Sequence, residues 1–203
     1  MDINVRRLRC ILGWLAMLLP WLSVLFTMVF GGRGWPQSIS ITYYYPTAFP
    51  VFLIILGAAS TVLFAYKGYE KIDDIINSIA AVFGLLILLF PTYCNGYPTA
   101  GAFNIPAEIS NIIHMVAAIV FFGLLSFNSL FLFTKTSGEI TKGKKIRNII
   151  FRVCGIGMLA SFVLLLIPDW PIVTWFVEML ALAFFGISWL TKANCYKWLA
   201  ADK

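Results

Sequence analysis

The chain alternates long apolar runs with short polar breaks. Six runs are close to the ~20 residues that cross ~30 Å of hydrocarbon as a helix: Cys10–Phe30, Phe49–Tyr66, Ile72–Tyr93, Asn111–Phe133, Ile146–Ile167 and Pro171–Leu190. The second is the shortest. A membrane barrel would instead show alternating segments of about ten residues. Backbone groups in hydrocarbon must be satisfied internally, so unbroken runs predict helices. The pattern predicts an all-α, polytopic membrane protein: one six-transmembrane-helix domain over residues 1–203, with no internal repeat.

Within the runs, 100° periodicity assigns faces. In the fourth, Asn111, His114, Ala118, Phe121, Leu125 and Asn128 share one side, and Ile112, Val116, Ile119, Val120, Phe127 and Leu130 cover the other. Polar groups are costly against lipid, so the first side should face the bundle. In the last run Thr174, Glu178, Ala181 and Ser188 share a face. Gly57 with Thr61, Ala80 with Gly84, and Gly157 with Ser161 have small-xxx-small spacing, which permits close helix contact within the chain or in a homo-oligomer. Pro20 should bend the first helix.

Composition and charge then add orientation. With 61% hydrophobic and 12% charged residues, the chain is far from a soluble domain, where about a quarter of residues are charged. Fourteen of the fifteen Lys and Arg residues flank one side of the six runs, and Arg33 alone lies on the other. Basic loops mark the cytoplasmic side, so both termini are expected inside, in the cytoplasmic membrane of a bacterium. The first run, about twenty residues with no small-residue cleavage site after it, reads as a retained helix. The inner cluster Lys142, Lys144 and Lys145 is a candidate for anionic lipid head groups. Cys10, Cys154 and Cys195 fall on the reducing side, and Cys94, alone outside, has no partner for an intrachain disulfide.

The two outer loops, Gly31 to Pro50 and Pro91 to Pro106, are rich in Gly, Pro, Tyr and Asn. Alternation through Ser38–Tyr45 predicts a short strand or hairpin lid. Trp35, Tyr43, Tyr44, Tyr45, Tyr93 and Tyr97 suit an interfacial belt, with one of the three consecutive tyrosines turned into the bundle mouth. Asp169 reads as the N-cap of the last helix, before Pro171. Asp73 and Asp74 suit the dipole at the start of the third.

His114 and Glu178 are the candidate chemistry. With Asn104 as cap of the fourth helix, His114 and Glu178 lie at matched depth, about 12–14 Å below their helix starts at ~1.5 Å per residue. An unpaired buried carboxylate is costly, so the two are expected to hydrogen-bond directly or through one water. The site is completed by Asn111, Tyr44, Tyr45 and Thr174. It reads as an outward-opening cavity that binds or senses a lipid or other amphiphile without catalysis. An intramembrane lipid hydrolase or transferase using the His/Glu pair is the alternative, and a small transporter or channel is the third. One histidine in the chain makes an ordinary zinc site improbable, so metal is expected to be absent. Neither a cofactor nor a nucleic-acid partner is expected; membrane lipids are.

Six runs with inner ends, a polar first outer loop, His114 with Ala117, Ala118 and Phe121-Phe122, and Phe176-Val177-Glu178 resemble the DRAM/Frag/Sfk-type membrane proteins. Tyr66-Lys67-Gly68-Tyr69 and Phe131-Leu132-Phe133-Thr134-Lys135 look like the bacterial form. The resemblance implies a six-helix bundle tied to membrane lipid or GPI-anchor remodelling, autophagy or stress signalling.

Overall fold

The computed structural model describes residues 3–136, 140–167 and 170–195. The predicted runs form six α-helices: α1 Ile3–Leu25, α2 Phe49–Ala65, α3 Lys71–Leu89, α4 Ala107–Phe127, α5 Lys142–Ser161 and α6 Val173–Lys192. α1 and α4 continue into π-helical turns at Phe26–Phe30 and Asn128–Leu132, and α5 tightens into a 3-10 turn at Phe162–Leu166. Five of these helices are long and apolar enough to cross a membrane; Phe49–Ala65 is shorter. At 1.5 Å per residue its length is about 26 Å.

Local chemistry sets the helix starts. Glu70 and Asp73 form a reciprocal capping box at α3, which satisfies two backbone donors that a helix end leaves open. Thr141 accepts the Lys144 amide at the start of α5 (3.2 Å). α4 starts at Ala107, and Asn104 is not its cap: Asn104 adopts a positive φ of 51° and accepts from Thr99 Oγ1 (2.6 Å). That bond closes a small antiparallel hairpin, β1 Thr99–Ala100 with β2 Ile105–Pro106. α1 runs on through Pro20 without interruption. The Asp169 cap lies outside the described residues.

The helices pack in chain order as a closed ring. Each touches its sequence neighbour, and α6 returns to α1. That closure is tight: a Cβ on Gly186 would lie 2.8 Å from the Gly13 carbonyl oxygen, and one on Gly13 would lie 3.0 Å from the Gly186 oxygen. Cys10 and Cys195 are disulfide-bonded across the same seam, a pairing that the sequence does not predict, because it places both cysteines on the reducing side. All three small-residue pairs face neighbours inside the chain: Gly57 faces Leu88 of α3, Gly84 faces Ser60 of α2, and Gly157 faces Phe184 of α6.

Polar residues inside the ring are joined across helices. Asn128 Nδ2 donates to Asn77 Oδ1 (3.0 Å), and the Ser129 and Ser188 hydroxyls meet at 2.7 Å. The expected face of α4 holds, with His114, Phe121, Leu125 and Asn128 buried and Ile112, Val116, Ile119 and Phe127 exposed.

The expected strand at Ser38–Tyr45 is a 3-10 turn at Ser40–Tyr44. Short hydroxyl side chains win over sheet pairing here. Ser38 Oγ accepts the Ile41 amide (2.9 Å), and Thr42 Oγ1 donates to the Ile39 carbonyl (2.5 Å).

Candidate functional site

The 3-10 turn sets Ser40 between two helices. Its hydroxyl lies 2.7 Å from Glu178 Oε1 on α6 and 3.1 Å from His114 Nε2 on α4. The Ile39 amide donates to the second oxygen of Glu178. His114 Nδ1 lies 2.9 Å from the Phe90 carbonyl, just past the end of α3, and His114 is 3% exposed. His114 and Glu178 are thus joined through a serine hydroxyl, where the sequence suggested a direct contact or a water.

With every contact in the chain Phe90 O–His114–Ser40–Glu178 made as a hydrogen bond, counting donors leaves two protonation patterns. A carbonyl only accepts, so Nδ1 must carry a proton. Ser40 has one proton to give. If it goes to Glu178, Nε2 must donate to Ser40, leaving an imidazolium and a carboxylate. If it goes to Nε2, Oε1 must donate to Ser40, leaving a neutral imidazole and a carboxylic acid. The two arrangements hold the same number of protons and differ by one transfer along Nε2–Oγ–Oε1. The cluster is net neutral in both, as a low-dielectric site requires. It can pass a proton between its ends, and it can donate to or accept from a polar group placed against it.

That group would stand at the head of an apolar cavity of about 90 Å3. Its walls include Phe52, Leu56, Phe121, Phe162 and Leu182, and Ser40, His114, Thr174 and Glu178 are its polar lining residues. Met115 and Leu165 also line it and are 44% and 39% exposed, so the cavity opens sideways between α4 and the 162–166 turn.

The other expected site residues lie elsewhere. Asn111 Oδ1 accepts from Thr92 Oγ1 (3.0 Å) and from the Tyr93 amide (2.9 Å), which ties the α3–α4 loop to α4. Tyr44 OH donates to the Thr92 carbonyl (2.8 Å), and its ring packs on Tyr43 and Tyr97. Burial, with the neighbouring Cys94, Tyr43 and Tyr97 adding, pushes the Tyr44 phenol up to about 12. Tyr45 stacks under the Arg33 guanidinium (4.7 Å). Tyr43, rather than Tyr44 or Tyr45, packs against the core. Lys142 and Lys145 are exposed, but Lys144 bends inward and donates to the Phe133 carbonyl (3.0 Å).

Ser40 is the residue that sequence reasoning missed as part of the site. Its signal is the Ser38-Ile39-Ser40-Ile41-Thr42 run, which suits a hydroxyl-capped turn as well as a strand. Among the described residues no cluster of three His, Cys, Asp or Glu side chains is placed to hold a metal ion. No family model, curated protein or solved structure matches this chain.

Proposed function

We propose that the chain is a six-span bundle of the cytoplasmic membrane, termini inside, that binds an amphiphile between α4 and α6. The chain of the ligand enters sideways past Met115 and Leu165, and its polar end meets Ser40, His114 and Glu178. One observation carries this reading: an apolar cavity that opens on the helix flank and ends at a hydrogen-bonded polar cluster. Ligand cavities combine apolar walls with a few placed polar groups in the same way, but at about 300–1,000 Å3; at about 90 Å3 this one takes the polar end and first carbons of the ligand, and the rest of the chain lies along the helix flank. The likeness to DRAM/Frag/Sfk-type proteins rests on the same His114 and Glu178 and supports the same assignment.

The test is native mass spectrometry of protein purified in mild detergent, comparing wild type with Ala118→Trp, whose side chain would fill the cavity. The expected result is a retained lipid or fatty acid that disappears in the variant. Equal retention by both, with folding intact, would overturn the assignment.

A second reading is favoured by the 3.1 Å contact between Ser40 Oγ and His114 Nε2: nucleophile and base at hydrogen-bonding distance, as acyl transfer or hydrolysis requires. It predicts that a fluorophosphonate probe labels the wild type and not Ser40→Ala. Absence of labelling in a folded, lipid-embedded sample counts against it.

A further inference from the structure

The α1–α6 seam ends in a covalent link. Cys10 follows Arg6, Arg7 and Arg9 in the basic start of α1, and Cys195 lies just past the end of α6 at Lys192. The two are disulfide-bonded across a sequence separation of 185. The pair therefore sits level with the end of α6, away from the apolar middle of the bundle. Both cysteines are partly exposed. Cys154, by contrast, is 2% exposed inside the bundle, and Cys94 is a free thiol in the α3–α4 loop.

The seam has contacts of its own beside this bond. Arg6 Nε donates to the Ala193 carbonyl (3.2 Å) and Arg6 Nη2 to the Asn194 carbonyl (3.3 Å). Arg9 Nη1 donates to the Lys192 carbonyl (3.5 Å). These bonds satisfy carbonyls that a helix C-terminus leaves open, and they dock the end of α6 on α1. Further along the seam, Gly13 and Gly186 bring the two backbones together. None of these contacts involves a sulfur, so they keep the two thiols side by side after reduction. The basic residues around the pair mark the cytoplasmic side. Thiols there are kept reduced, and a disulfide that does form is usually transient, catalytic or redox-sensing.

We propose that Cys10 and Cys195 are a reversible redox site, a latch that a small disulfide compound of the glutathione class closes across the α1–α6 seam. The proposal rests on the inner placement of the termini given above, and not on the amphiphile cavity. One protein thiolate attacks a sulfur of the compound, forming a mixed disulfide and expelling a thiolate. The other protein thiolate then attacks the protein sulfur of the mixed disulfide and expels the second. Two protein thiols are oxidised, the S–S bond of the compound is reduced, and the two thiol protons end on the released thiolates. A closed latch joins the two ends of the chain and restricts its unfolded state, so α6 is held more firmly on α1.

The experiment uses the full chain with Cys94→Ser and Cys154→Ala, which leaves the pair as its only cysteines. Cells are quenched with acid, and free thiols are read from the gel shift given by a polyethylene-glycol maleimide. Both thiols should be free in unstressed cells, lost after diamide, and free again after its removal. In mixed micelles, a rising ratio of oxidised to reduced glutathione should convert the pair to the disulfide and raise the SDS unfolding midpoint. Adding Cys10→Ser should abolish that shift. Should the double variant fail to fold, mass spectrometry of the linked Cys10–Cys195 peptide follows the pair in wild type. Diamide that yields no intrachain disulfide overturns the site, and oxidation without a midpoint shift overturns the latch. A pair that stays oxidised in unstressed cells overturns the switch alone if maleimide labelling puts the termini inside. If labelling puts them outside, the inner placement falls with it.

Discussion

Removing the Ser40 hydroxyl should uncouple His114 from Glu178. The hydroxyl carries both links, 3.1 Å to Nε2 and 2.7 Å to Oε1. A buried polar group stranded by loss of its partner costs about 1–3 kcal/mol. His114→Ala and Glu178→Ala should therefore each destabilise by roughly that amount, and residues sharing one network should couple by about 1–2 kcal/mol. In a Ser40→Ala background there is no shared partner left, and the same cycle should give less than about 0.5 kcal/mol. The eight proteins would be unfolded reversibly by SDS titration in mixed micelles and followed by circular dichroism. Coupling of equal size with and without the hydroxyl would refute the serine-bridged arrangement. So would strict additivity in the Ser40-containing proteins.

In a Cys-free protein, impermeant maleimide should reach Cys at Gly34 and not Cys at Thr136 in intact cells; the reverse pattern would invert the orientation. Gly186→Ala, whose methyl would press on the Gly13 carbonyl at 2.8 Å, should destabilise by about 1–3 kcal/mol. Gly123→Ala, which meets nothing within 4 Å, should be neutral or stabilising in the same SDS titration. The Tyr44 phenol, raised to about 12 from 10.0, favours the neutral form in the fold. Its contribution should be complete below pH 10 and fade between pH 10 and 12; phenolate absorbance should show a high-pH component that Tyr44→Phe removes.

Helix faces were legible because their signal is local and periodic. The α4 stripe from His114 to Asn128 needs only the 3.6-residue repeat and the cost of polar groups in lipid. His114 and Glu178 stood out for the same reason, as ionisable groups on polar faces. Ser40 did not, because its role depends on a turn whose hydroxyls bond locally. In sequence, that run alternates like a strand. Gly13 and Gly186 were equally silent: each is an isolated glycine, and only the return of α6 to α1 gives them a common purpose. Lys144 and Lys145 look alike in sequence, and helix phase alone sends one inward to Phe133 and leaves the other exposed.

Because the ring follows chain order, every wall but one can form between helices made consecutively. The exception is the α1–α6 seam, which must wait for the end of synthesis. Until α6 arrives, the Ser40 turn has no carboxylate to receive it, and Cys10 has no partner. An unfinished or truncated chain therefore lacks the α6 wall of the cavity, Thr174, Val177, Glu178 and Leu182, and completion of the last helix acts as a checkpoint on the whole assembly.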